Sequence, residues 1–336
     1  MAAMAGYAGL IAAGQSLTDT RILDAQTELS DENLAQFLTA NKEVLEQTRR
    51  LLQQPCSVPL EYDAGWLEKQ GDNLTPLRNL ARSFALELKA AVRLGDLPRA
   101  AGIGLDIFQL ANASRRDGLI IDALVANAIE GIAIDGTRHV HRRLLAADAV
   151  RLARGLLQVD VEREPFDEIV TRDQKWEQAV GYRDEKPDFA HMEWPGSQEL
   201  DSETEQTLRQ LLQSLADLPA DELRSFQKQL DDRNLALLRL LTLESALQGF
   251  HAGNGFYPSE LSVLAPAYLT AIPRDPFTAT EFRYRTTATG YAVYSPGPTG
   301  QDSGGRFGPW FRVLAGEADL GVDLYDYDQS CEVSVS

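Results

Sequence analysis

Apolar residues recur at three- and four-residue steps through most of the chain, the pattern of amphipathic helices. Leu29-Ser30-Asp31-Glu32 opens the first clear one with a good cap. It carries Leu34, Phe37, Leu38, Val44, Leu45 and Leu51 and stops before Pro55. A second is predicted from Thr75, as cap, with Pro76 in its first turn. It runs through Leu77, Leu80, Phe84, Leu88 and Val92 to Gly95-Asp96. Leu97-Pro98 begins a third, and Asp117-Gly118 breaks the chain again. Leu119 to Ile134 is apolar on nearly all sides, interrupted by Asp122, Asn127 and Glu130, so it is expected inside the bundle. Further helices are predicted over Thr137–Leu157, from Glu164-Pro165 toward Tyr182, and over Glu203–Leu215.

The small residues around Ala90, Ala91, Gly95 and Ala100 let two helices approach closely about a glycine turn. This segment resembles a tetratricopeptide-type helical hairpin, but no second unit follows it, so an irregular α-α stack is expected.

A last helix is predicted from Asp221, as cap after Pro219, with a stripe of Leu223, Phe226, Leu230, Leu237, Leu241 and Leu247. Gly253-Asn254-Gly255 ends it. Pro258, Pro266, Pro273 and Pro276 then punctuate an irregular segment, pinned by Tyr268, Leu269 and Phe277. Phe282–Thr286 and Tyr291–Tyr294 alternate with period two around Ala288-Thr289-Gly290, which predicts a hairpin. Trp310–Leu314 is predicted as a third strand.

The order helix, Gly255-Phe256-Tyr257-Pro258, Pro273-Arg274-Asp275-Pro276-Phe277, Phe282-Arg283-Tyr284, Gly290-Tyr291 to Gly300, and Asp302-Ser303-Gly304-Gly305 resembles the globular half of the major pseudopilin of type II secretion systems. The resemblance covers Leu235 to Gly305. It implies a long helix laid on a small antiparallel sheet. In that family a hydrophobic membrane helix comes first; here a long, mostly polar stretch stands in its place. The family also binds calcium after its last hairpin, through an aspartate in a Gly-Ala-Asp-Gly turn. The turn here reads Gly297-Pro298-Thr299-Gly300, which leaves Asp302 and Ser303 as candidate calcium ligands. The whole chain is similar to bacterial proteins, best represented in planctomycetes, that join a membrane anchor, a helical array and this module.

The expected fold class is α+β: an irregular all-α domain followed by a pseudopilin-like domain. The expected parts are residues 1–28 as an N-terminal segment, 29–182 as the helical array, 183–220 as linker and connecting helix, 221–314 as the α+β domain, and 315–336 as an acidic tail. Met1 to Gly14 is uncharged and small, too short to span a bilayer, which takes about 20 apolar residues. It reads either as the trailing end of a membrane anchor upstream of residue 1 or as a short helix.

A net charge of −18 disfavours nucleic acid, whose phosphates need clustered Lys and Arg. The two cysteines, Cys56 and Cys331, form no zinc signature. His139-Val140-His141 is spaced to point its rings apart, so a solvated helix start is expected there. His191-Met192-Glu193 is expected as a loop contact, and Gly102-Ile103-Gly104 is no dinucleotide fingerprint. Asp319, Asp323, Asp326 and Asp328 lack EF-hand spacing and are expected in solvent.

These patterns point to a non-enzymatic scaffold or protein-interaction component related to secretion machinery. It is expected on the extracytoplasmic face of a bacterial envelope, binding a protein or peptide, with no cofactor beyond the candidate calcium. The oligomeric state stays open. One alternative is a hydrolase with its site near Asp122, Glu130 or His139. Another is a self-assembling subunit joined through the acidic tail or the first helix.

Overall fold

The computed structural model describes residues 2–23, 29–63, 65–181, 218–287 and 290–322. Seven helices lead: α1 Ala2–Gln15, α2 Asp31–Leu52, α3 Trp66–Arg93, α4 Leu97–Arg115, α5 Ile120–Arg138, α6 Ala146–Glu162 and α7 Phe166–Val180. After them come α8 Ala220–Asn254, β1 Arg283–Thr286, β2 Tyr291–Tyr294 and a short α9 Trp310–Leu314. Over the described residues the protein is thus largely helical with one small antiparallel sheet, α+β in the broad sense. The connecting helix expected at Glu203–Leu215, His191-Met192-Glu193 and residues 323–336 lie outside the described residues.

Local signals set several ends. The Ser30 side chain accepts from the Asn33 N–H at 3.2 Å and caps α2. Gly95 at φ 75 turns the α3–α4 hairpin, and Asp96 caps α4 by accepting from the Arg99 N–H. Gly255, at φ 80, closes α8.

Other ends depart from expectation. Helix α3 starts at Trp66, well before Thr75, and Pro76 lies inside it. Trp66, Gln70 and Leu74 are buried, so tertiary packing holds the turn ahead of the proline in a helix that local preference would not start. The expected helix over Thr137–Leu157 is divided. Thr137 lies in the last turn of α5, which ends at Arg138, a 3-10 turn spans His141–Arg143, and α6 begins at Ala146. Burial of Val140 and Leu144 forces that turn. Asp221 sits in the first turn of α8, with Pro219 at the cap position.

Helix α1 docks on α2 and α3, burying Tyr7, Leu10, Ile11 and Ala13. Its Gly14 lies so near α3 that an added Cβ would stand 2.5 Å from the Pro76 carbonyl oxygen. No helix of the described residues is long and apolar enough to cross a membrane.

Helix α8 organises the rest. Between Ala236 and Leu247 nearly every side chain is buried, because α5 and α6 cover one side and the hairpin segment the other. Gly249 marks the α6 crossing, since a Cβ there would meet Val150 Cγ2 at 2.7 Å. Arg239 joins both sides. Its Nε and Nη2 donate to Asp160 on α6 at 2.8 and 3.1 Å, and its Nη1 donates to the Arg274 carbonyl at 2.8 Å. One continuous apolar cluster therefore runs from Tyr7 to Val322.

The hairpin pairs Arg283 with Tyr294, Tyr284 with Val293, Arg285 with Ala292 and Thr286 with Tyr291. The third strand expected at Trp310–Leu314 is instead α9. Pro309 starts it, accepting from the Arg312 N–H at 2.8 Å. The place beside β2 goes to the chain beyond it, where Ser295 and Leu320 exchange both backbone hydrogen bonds at 2.9 and 2.8 Å. The acidic tail expected from residue 315 is thus packed over its first part, with Ala318, Leu320 and Val322 buried.

Candidate functional site

The loop after β2 is where the family resemblance put its calcium ligands. Tyr294 OH donates to Asp302 Oδ1 at 3.0 Å, and the Gly304 N–H donates to the same oxygen at 2.8 Å. Arg283 Nε stands 3.5 Å from Asp302 Oδ2. Ser303 Oγ reaches the Gly316 carbonyl at 3.5 Å, and its N–H donates to Asp319 Oδ1 at 3.0 Å. The Gly305 N–H donates to Asp319 Oδ2 at 2.7 Å. Asp319 is fully buried, which corrects its expected place in solvent. Burial pushes its carboxyl up, against those backbone donors. Burial, then the Asp302 hydrogen bond, pushes the Tyr294 phenol up to about 12. A calcium ion here would have to displace N–H and guanidinium donors already facing these oxygens. Among the described residues no three acidic, His or Cys side chains stand grouped as metal ligands.

The residues of the hydrolase alternative do not converge. Asp122 caps its own helix, accepting the Leu119 N–H at 2.8 Å, and also accepts from Gln70 Nε2. Gln70 Nε2 also lies 2.7 Å from Tyr7 OH. Burial pushes the Asp122 carboxyl up to about 6. Glu130 joins a different cluster, and His139 is exposed at the end of α5.

That second cluster is sealed between α4, α5, α8 and the end of α6. Arg163 donates to Glu130 Oε1 and Oε2 at 2.8 and 3.1 Å, and to both Asp231 oxygens at 2.8 Å. Arg115 lies 3.0 Å from Asp231 Oδ1 and 3.6 Å from Glu130 Oε1, but its N–H groups are not aligned for hydrogen bonds. Burial, reinforced by Arg163, lowers the Arg115 pKa. Burial would raise Asp231, yet Arg163 and Arg115 hold it below the ordinary range.

A third cluster joins the turn after α5 to α8. His141 Nε2 and Glu244 Oε2 are 2.9 Å apart, Arg142 Nη2 donates to the same oxygen at 3.0 Å, and Tyr291 OH stands 3.4 Å away. His141 is fully buried, not the solvated helix start its neighbours suggest. Burial alone would raise the Glu244 carboxyl; the His141 hydrogen bond and charge, with Arg142, hold it below its ordinary value. A lone acid inside the apolar run Leu240–Phe250 was the available sequence signal for this partner-seeking site.

Comparison of the chain with protein families, with curated proteins and with solved structures gives no match.

Proposed function

We propose that the chain is a non-enzymatic scaffold of a bacterial cell envelope, with a pseudopilin-like head carried on a helical body and offered to a protein or peptide partner. The observation that carries this reading is the head's order. A long helix ends at Gly255, a proline-punctuated segment follows, and an antiparallel ribbon leads into a loop closed by Asp302 and Asp319. The ionisable side chains singled out above add support. Asp122 accepts from Gln70 on α3, Glu130 and Asp231 from Arg163 at the end of α6, and Glu244 faces His141 in the turn after α5, the chemistry of holding elements together.

The test is a photo-crosslinking amino acid at Tyr284 or Arg285 on the ribbon, against one at Lys42 on α2, in cells of a bacterial host carrying the gene. Membrane-impermeant thiol labelling of a cysteine placed at Glu281 reports location. The reading expects labelling in intact cells and a discrete crosslinked protein from the ribbon. A protected cysteine, or identical crosslinks from both positions, would overturn it.

A further inference from the structure

A cleft of about 320 Å³ opens between α2, α3 and α4, lined by Arg49, Glu87, Arg99, Gly102, Ile103 and Asp106. Its chemistry is fixed before anything enters. Arg49 Nε donates to Asp106 Oδ2 at 2.7 Å and its Nη2 to Glu87 Oε2 at 2.5 Å, and its guanidinium carbon sits 5.0 Å above the Phe84 ring. Arg99 Nη2 donates to the other Glu87 oxygen at 3.0 Å. The Glu87 side chain is more than nine-tenths buried, and both its oxygens are engaged. Among the described residues the protein supplies no hydrogen-bond partner to Arg49 Nη1, Arg99 Nε and Nη1, and Asp106 Oδ1. The unspent groups are cationic donors beside one anionic acceptor.

The α4 side of the cleft adds a second observation. Gly102 lies inside α4, where glycine weakens a helix relative to alanine. Two residues on, Gly104 has a packing reason, because a Cβ there would meet Thr137 Oγ1 at 2.3 Å. Gly102 is exposed, and an added Cβ there would meet no atom outside its own turn of helix within 4 Å. Gly71 and Gly131 are similarly open, but neither lines this cleft. Arg99, Gly102 and Asp106 fall on one face of α4 at steps of three and four, so the bare backbone lies between the cationic and the anionic group.

We infer that this cleft binds a zwitterionic small molecule of the α-amino-acid class, its carboxylate on Arg49 and Arg99 and its ammonium on Asp106, with its side chain over Gly102. The cleft holds as many acids as bases, so a ligand of zero net charge enters it without opposing the chain's net charge of −18. A bidentate guanidinium–carboxylate contact supplies direction as well as affinity. The site is remote from the ribbon and does not depend on the scaffold reading.

The experiment is calorimetric titration of the full chain with each proteinogenic amino acid. For the best binder, its methyl ester (ammonium kept, carboxylate lost) and its N-acetyl derivative (the reverse) follow. The expected result is binding of the free amino acid, with each derivative weaker by about tenfold or more. Gly102→Leu, which fills the cleft with a good helix former, should abolish binding while circular dichroism stays unchanged. Arg99→Gln, at a mostly exposed head, should weaken it by about tenfold. No heat from any amino acid at about 10 mM, far above a useful Kd, overturns the inference. Equal binding of either derivative, or unchanged binding by Gly102→Leu, does so too.

Discussion

His141 Nε2 lies 2.9 Å from Glu244 Oε2 although 103 residues separate them in the chain. The contact ties the turn between α5 and α6 to the middle of α8, and Arg142 and Tyr291 complete the set of donors.

Removing that carboxylate leaves a buried imidazole without its partner. Glu244→Ala is expected to cost about 3 kcal/mol, as breaking one half of a buried pair does, with Glu244→Gln milder. Urea denaturation at neutral pH checks it. The folded Glu244 pKa is depressed, so its stabilisation is present above the unfolded carboxyl value, about 4.3, and is lost as pH falls through the folded value. The wild type should therefore lose more stability than Glu244→Gln on acidification below about pH 4.

Asp122 has the opposite sign. Its folded pKa of about 6 lies above the unfolded value, so the folded state holds the extra proton in between. Stability from this group falls as pH rises from about 4 to about 6, by about 3 kcal/mol in all. Asp122→Asn keeps an acceptor for the Leu119 N–H and should flatten that part of the profile. Urea midpoints for both proteins across the window decide the point.

The two buried arginines should differ. Arg163 makes well-aligned hydrogen bonds to both acids, whereas Arg115 pairs with them in poorer geometry, at 3.0 and 3.6 Å. Arg163→Met is expected to cost about 3–5 kcal/mol, and Arg115→Met at least about 1 kcal/mol less. Paired chemical denaturation curves measure both.

At the loop of Asp302 and Ser303, calcium has to compete with donors already in place. Millimolar calcium should raise Tm no more than magnesium does. Asp319→Ala, which strips the acceptor from Ser303 and Gly305, should cost about 1–3 kcal/mol. A calcium-specific rise in Tm that Asp302→Ala abolishes would reverse this expectation.

Residues 218–322 expressed alone would present to water the face of α8 that α5 and α6 cover. That fragment is expected to aggregate or to bind a hydrophobic dye, and co-expression with residues 2–181 should rescue it. A soluble monomer with a sharp thermal transition would refute the expectation.

What the sequence made readable was local. Ser30, Gly95, Asp96 and Gly255 act on their own neighbours, and alternation at Phe282–Thr286 and Tyr291–Tyr294 needs only a turn between. Asp302 and Ser303 were legible as loop residues, but Asp319, which holds Ser303, comes from a stretch whose composition suggests solvent. Trp310–Leu314 has strand-forming residue types, yet Pro309 ahead of it starts a helical turn. Pro76 hid the start of α3 because burial of Trp66 and Leu74 outweighs local preference. The His141–Glu244 and Arg163–Asp231 pairs each bridge distant segments, and no window along the chain contains both partners.

Arg239 grips Asp160 with one edge of its guanidinium and the Arg274 carbonyl with another. Arg154 on α6 adds a second grip, donating to the Ala267 and Tyr268 carbonyls, so a load applied at the ribbon arrives at α6 through side chains anchored on both helices. The head cannot swing as a bead on a tether would, and whatever seizes it has hold of the whole molecule.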